Sequence, residues 1–308
     1  MAISRSLLFS VSLLLSGCLQ PHFPQTCLEP ALGERRIFDY QDLKINYYEA
    51  GQGEPVLLLH GFGACAYSWR LLAPALAREH RVIALDLKGC GLSDKPRDGK
   101  YAVSDQADMV AAFIKARDLH DLAVVGHSMG GAVALLTYFQ VQRQDPARLR
   151  QLVLIDSAGY PQKLPWFIRL ARLPLVDPLL SRLLSARFAT ALVLKKCFYD
   201  RDMVTAEMVD TYAFYGSLPG AREAVLETAR QLVPADWAAV TARYKTINIP
   251  VLIIWGEEDT VVPLQVGRHF RRDIPDSQLV VIPNCGHIPQ EEDPGETTRL
   301  VEGFLKKN

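Results

Sequence analysis

Leu122-Ala123-Val124-Val125-Gly126-His127-Ser128-Met129-Gly130-Gly131-Ala132-Val133-Ala134-Leu135-Leu136 decides how this 308-residue chain folds. The apolar run at its start reads as a buried strand, and the run from Ala132 as a helix. Between them stands G-x-S-x-G, the spacing that turns a strand sharply into a helix. Its glycines permit the tight turn. The serine at its centre takes a strained backbone that lifts the hydroxyl above the sheet, close to a helix amino terminus. A hydroxyl is a poor nucleophile until a base removes its proton. Ser128 as nucleophile therefore demands a base, an acid to orient that base, and donors for an oxyanion.

Outward from Ser128, short β-like runs alternate with helical patterns, at 43–49, 56–60, 82–87, 122–126, 152–155, 251–255 and 279–282. The middle runs are apolar throughout, as strands covered on both faces by helices must be. This predicts an α/β fold with a mostly parallel central sheet flanked by helices. The alternation stops between Leu154-Ile155-Asp156 and Ile249-Pro250-Val251, where helix-like patterns are broken by Pro165, Pro174, Pro178 and Pro219. The expected organisation is a core over 35–157 and 246–308 with an inserted helical cap over 158–245. No internal repeat or low-complexity segment interrupts it.

An elbow of this kind orders its partners along the chain as Ser, acid, His. Leu279-Val280-Val281-Ile282-Pro283-Asn284-Cys285-Gly286-His287 places His287 on the loop after a terminal strand, and so makes it the base. His22 lies far upstream, His60 and His127 sit in motif loops, His80 and His120 precede strands, and His269 falls within a helical pattern. The acid comes from Val251-Leu252-Ile253-Ile254-Trp255-Gly256-Glu257-Glu258-Asp259-Thr260-Val261-Val262-Pro263. The spacing Gly-x-x-Asp-x-x-Val-Pro favours Asp259, leaving Glu257 and Glu258 as solvated loop charges, with Asp156 as the rival acid. An oxyanion hole needs two donors aimed at the developing charge. One is the backbone N–H after the nucleophile, at Met129. The other belongs to the loop after an earlier strand, His60-Gly61-Phe62-Gly63, where the N–H of Phe62 is the candidate and His60 a structural hydrogen-bonding residue.

Elbow, oxyanion loop, Asp259 and His287 together resemble the α/β-hydrolase superfamily over about residues 35–157 and 246–308. Asp86-Leu87-Lys88-Gly89-Cys90-Gly91-Leu92-Ser93-Asp94 resembles the family's loop after its fourth strand, with Lys88 where Arg is commoner; Asp86 and Asp94 read as structural. The resemblance implies a serine hydrolase of the esterase or lipase kind, needing no cofactor. Haloalkane dehalogenases and the family's epoxide hydrolases use an Asp nucleophile, so Ser128 argues against both. Carbon–carbon hydrolases use the same Ser, Asp and His but usually carry Trp directly after the His, where this chain has Ile288. They stay open as an alternative, as does perhydrolase or haloperoxidase-like activity. From another class comes a non-catalytic ligand-binding lipoprotein.

That last class arises from the amino terminus. Arg5 followed by the apolar run 7–15 reads as a secretory signal over 1–17, too short to span a bilayer. Leu15-Ser16-Gly17-Cys18 resembles the lipobox of bacterial lipoproteins, which makes Cys18 the expected lipidation site and 18–34, with Pro21, Pro24, Pro30 and Gly33, a tether. The expected address is a bacterial envelope membrane. In a Gram-negative cell it is the outer one, because Leu19 is not the Asp that in many such bacteria retains lipoproteins at the inner membrane.

Charge adds a second membrane argument. Lys and Arg total 34, as do Asp and Glu, so no global field attracts nucleic acid. Locally, 163–196 carries Lys163, Arg169, Arg172, Arg182, Arg187, Lys195 and Lys196 against Asp177, a net +6 from seven minus one. Trp166, Phe167, Phe188 and several leucines stand among them. Such helices either cover the active site with their apolar side while the basic residues face water, or rest on anionic lipid. Once Cys18 is lipidated, Cys27, Cys65, Cys90, Cys197 and Cys285 remain, an odd number that excludes complete intramolecular pairing. No Cys-x-x-Cys pair or His cluster suggests a metal. The leading expectation is hydrolysis of acyl or aryl esters, with an apolar acyl group favoured.

Overall fold

Val, Ile and Leu fill the central strands so completely that each must be covered on both faces, and the fold supplies both layers. The computed structural model describes residues 29–173, 185–234 and 236–306. Cys18, the expected leader and the 174–184 part of the expected cap lie outside them. One sheet runs in the order β1 (Glu34–Tyr40), β2 (Leu43–Ala50), β4 (Arg81–Leu85), β3 (Pro55–Leu59), β5 (Leu122–His127), β6 (Leu149–Ile155), β7 (Val251–Gly256), β8 (Ser277–Ile282). β1 pairs antiparallel with β2, and β2 with β4; every other pair is parallel. Leu57, Val124, Leu152 and Val251 lie in register across the middle of the sheet, all buried. This is the mostly parallel α/β sheet that the alternation predicts.

The chain reverses direction of travel across the sheet between β3 and β5, and ligands in such sheets bind beyond the carboxyl ends of the strands at that point. The Phe62 loop follows β3 and Ser128 follows β5, so the two flank the crevice. Asp156 follows β6, Asp259 follows β7 and His287 follows β8. Every candidate residue thus stands on the same edge of the sheet. Helices Val103–Ala116 and Met129–Gln144 pack together beside it.

Between β6 and β7 the described residues form helices Trp166–Ala171, Ala186–Cys197, Ala206–Ser217, Ala221–Gln231 and Trp237–Thr241. Their starts are set locally. Ser185 accepts from Phe188 N–H and Thr205 from Met208 N–H, each filling an orphan donor of a first turn.

The tether expected over 18–34 is corrected at its end. Glu29–Leu32 form one helical turn, and the Leu32 side chain is buried in the core. A single turn is too short to generate the periodicity that would reveal it. β1 also escapes pattern reading, because Glu34, Arg35, Arg36 and Asp39 make it look like a solvated segment. It is an edge strand, where charge is tolerated.

Candidate active site

At the elbow, Ser128 has φ 52° and ψ −119°, a left-handed conformation that costs a residue with a Cβ. The surroundings hold it there. Ser128 N–H donates to the Ile155 carbonyl at 3.0 Å, and the Ser128 carbonyl accepts from Gly131 and Ala158 N–H, both at 3.0 Å. A side chain on Gly130 would collide with the Leu59 carbonyl oxygen, which is why the turn can press against β3. Gly61 faces it from the other side: a Cβ there would come 3.1 Å from that of Ser128.

His287 Nε2 lies 3.0 Å from Ser128 Oγ, and His287 Nδ1 lies 2.7 Å from Asp259 Oδ2. The carboxylate accepts a hydrogen bond from Nδ1–H, so the Nε2 lone pair faces the serine hydroxyl. Asp259 Oδ1 accepts from Val261 N–H at 2.7 Å and Val262 N–H at 2.9 Å, fixing the carboxylate in one orientation. All three side chains are nearly sealed from water, at 9% exposure for Ser128, 7% for Asp259 and 4% for His287. Glu257 and Glu258 are exposed and apart from this line.

Met129 is buried at the first position of the elbow helix, where its N–H has no intrahelical acceptor. Phe62 is half-buried on the loop beside Gly61. Both backbone N–H groups therefore belong to segments that flank Ser128.

His60 is fully buried. Leu87 N–H donates to its Nε2 at 3.0 Å, so the proton sits on Nδ1 and is donated to the Gly61 carbonyl at 2.9 Å. Its burial lowers its pKa and keeps it neutral. Asp86 accepts from Ala66 N–H, Leu92 N–H and Asn46 Nδ2, and Asp94 accepts from Lys44 N–H. These are loop-bracing bonds, the structural roles expected of both acids.

Two further residues hold His287 and were not singled out by sequence. His127, in the variable position of the motif, donates from Nε2 to the His287 carbonyl at 2.7 Å. Burial, then the neighbouring His287, press its pKa well below the imidazole range, so it serves as a neutral donor. Glu292 accepts from Gly286 N–H at 2.8 Å through one oxygen and from Tyr199 and Asp200 N–H at 2.7 and 3.0 Å through the other. His287 N–H itself donates to the Cys197 carbonyl at 2.7 Å. Cys197 ends helix Ala186–Cys197, so the loop carrying His287 is tied to the segment inserted between β6 and β7. Next to Glu292, the buried Glu291 binds Arg70 and Tyr212, each at 2.5 Å, joining the cap to the segment after β3.

A surface groove of about 640 Å³ lined by Asp108, Lys115, Gln140 and Arg143 lies elsewhere. Gln140 is twelve residues along the elbow helix from Ser128, roughly 18 Å at the helical rise. It does not serve this site.

A sequence profile of the alpha/beta hydrolase fold family matches residues 54–294. This chain belongs to the α/β-hydrolase family. The hydrolase is 30% identical over 271 residues to 2-hydroxymuconate semialdehyde hydrolase of Pseudomonas sp. (strain CF600), a match spanning 85% of this chain and 90% of that protein. Among solved structures it superposes on a meta-cleavage product hydrolase with a TM-score of 0.75 at 27% identity, covering 89% and 98% of the two chains. A membrane phospholipase A described as a bacterial virulence factor superposes with a TM-score of 0.74 at 26% identity, covering 91% and 88%.

Proposed function

We propose that the hydrolase cleaves carboxylic esters with an apolar acyl group through an acyl-enzyme on Ser128. The observation that carries Ser128 as the attacking group is the unbroken line from Ser128 Oγ through His287 to Asp259. His287 Nε2 takes the hydroxyl proton as Oγ attacks the acyl carbon, and Asp259 stabilises the imidazolium that forms. The tetrahedral oxyanion is received by the N–H groups of Phe62 and Met129. On collapse His287 returns the proton to the departing alcohol. Water, deprotonated by the same imidazole, then releases the acid.

A second reading, carbon–carbon cleavage, is favoured by the identity to 2-hydroxymuconate semialdehyde hydrolase and by the meta-cleavage product hydrolase among the structural neighbours. Its substrates there are acids, as in the relative named for 2-hydroxy-6-oxo-2,4-heptadienoate, and a buried carboxylate calls for a cation. Among the described residues, cap arginines Arg169, Arg172, Arg187 and Arg201 are exposed to solvent, and Arg187 is paired with Asp210. Ile288, buried after His287, stands where those enzymes usually place Trp. The exposed arginines support a neutral substrate, and Ile288 departs from the carbon–carbon hydrolase pattern.

Assayed side by side, p-nitrophenyl esters of increasing acyl length should be turned over with an optimum length, and a vinylogous diketone acid slowly or not at all. Faster turnover of the diketone acid than of every ester would reverse the assignment. Absence of fluorophosphonate labelling would revive the non-catalytic class.

We propose further that lipidated Cys18 holds the hydrolase on an envelope membrane and that the cap rests against the lipid. Trp166, Leu173, Phe188 and Leu192 are exposed, and Phe188, Leu192 and Lys195 follow the i, i+4, i+7 spacing of one helix face. Palmitate labelling in intact cells is expected to vanish in Cys18→Ser. Protein lacking residues 1–18 is expected to sediment with anionic vesicles and not with zwitterionic ones; indifference to lipid charge would remove the cap from the reading.

A further inference from the structure

We infer that Asp156 is a positioning residue of this site: its carboxyl O–H donates a hydrogen bond to Asp259 and so fixes the acid that orients His287. The inference rests on the reading of Ser128 as nucleophile.

Asp156 is fully buried at the end of β6, with φ 41°, a region where Asp is among the better-tolerated residues. Its N–H donates to the Ile254 carbonyl at 3.0 Å, and its Oδ1 accepts from Gly256 N–H at 2.9 Å. Oδ2 meets no donor among the described residues. A buried carboxylate oxygen with nothing to accept from is costly. The neighbour that explains it is another acid: one carboxyl oxygen of Asp156, one of Asp259 and a ring nitrogen of His287 all lie within 4.8 Å of one another.

Two carboxyl groups this close, both shielded from water, do not ionise together, and one proton is left to be placed. Asp259 already accepts from Val261 N–H, Val262 N–H and His287 Nδ1–H, three donors for its two oxygens. Asp156 has the single Gly256 donor. The proton therefore belongs to Asp156. In agreement, burial first, then the charge of Asp259, push the Asp156 carboxyl well above the usual carboxylate range. A protonated carboxyl is a donor, so the orphan Oδ2 and the crowding of two acids are resolved by one O–H···O bond. The rival acid of the sequence thus does not compete with Asp259; it stands behind it.

Asn at 156 offers the same pair of groups, a carbonyl for Gly256 N–H and an N–H for Asp259. Leu offers neither. Asp156→Asn should keep kcat and KM within about threefold of the parent, whereas Asp156→Leu should lose about tenfold in kcat with KM unchanged, on the scale of one lost charge-assisted hydrogen bond. Without its donor, Asp259 holds the imidazolium more tightly, so the acidic limb of the kcat/KM profile should move to higher pH in Asp156→Leu and stay in place in Asp156→Asn. An effect confined to folding would lower stability and leave that limb where it is.

Should Asp156→Leu fail to fold, infrared difference spectra of parent against Asp156→Asn at neutral pH decide the matter. The carbonyl band of a protonated carboxyl is expected in the parent and absent from the variant; its absence from the parent overturns the inference. So does an Asp156→Asn enzyme as slow as Asp156→Leu, or an Asp156→Leu enzyme with parental kcat and pH profile. Fluorophosphonate labelling of the parent separates the failures: a parent that does not label removes the Ser128 reading, whereas a labelling parent with indifferent variants removes only the role of Asp156.

Discussion

Ser128→Ala is expected to lower kcat/KM for p-nitrophenyl esters by about 10⁴- to 10⁶-fold, the range for loss of a nucleophile that works as one unit with its base. The substitution removes a single oxygen from a 9% exposed residue whose backbone is held by Ile155, Gly131 and Ala158. The fold should therefore survive, and the thermal midpoint should stay within a few degrees. Residual turnover above the water rate, if measurable, is the share of the Phe62 and Met129 donors and of binding. His287→Ala should be similarly inactive, and Ser128→Ala/His287→Ala no worse than either alone, because neither partner acts without the other. His287→Ala is the less clean probe, since it strips Asp259 of the ring N–H it accepts and leaves a buried carboxylate short of a donor. Equal activity of Ser128→Ala and parent would sink the acyl-enzyme reading outright.

How much of this was legible follows from which signals are local in sequence. The elbow is local: strand, turn and helix are contiguous, so the residues around Ser128 could be read directly, and the central strands announced themselves through unbroken Val, Ile and Leu. Asp259 and His287 were reachable as candidates because they sit after strand ends in a fixed chain order, and the fold brings both to Ser128. What escaped depends on contacts between distant segments. The hold of His127 on the His287 carbonyl spans 160 residues, and the Glu292 bonds to Tyr199 and Asp200 span 93 and 92. A Glu that ends a four-residue helix carries no mark of such partners. Asp156 was noticed for its place after a strand, but sequence offered only the choice between it and Asp259. That β6 and β7 are neighbours in the sheet is what brings the two acids together.

Asp259→Asn is the second large effect, expected to cost about 10⁴-fold in kcat although it changes shape hardly at all, as loss of the carboxylate does in triads of this design. Asp259 Oδ1 accepts from two backbone donors, Val261 N–H and Val262 N–H. An amide placed there must keep its oxygen toward those donors, because turning its NH₂ to them would set donor against donor. The NH₂ is thereby forced toward His287 Nδ1. That nitrogen must then present its lone pair, the ring proton moves to Nε2, and the group facing Ser128 Oγ becomes a donor where a base is needed. KM should change little, since no acyl contact is lost. Raising the pH should recover rate in proportion to hydroxide, as the serine hydroxyl comes to be deprotonated without help from the imidazole. A variant that instead keeps parental kcat at neutral pH would mean that the Asp259 charge contributes nothing beyond its geometry, and the line from Ser128 through His287 would need another acid at its end.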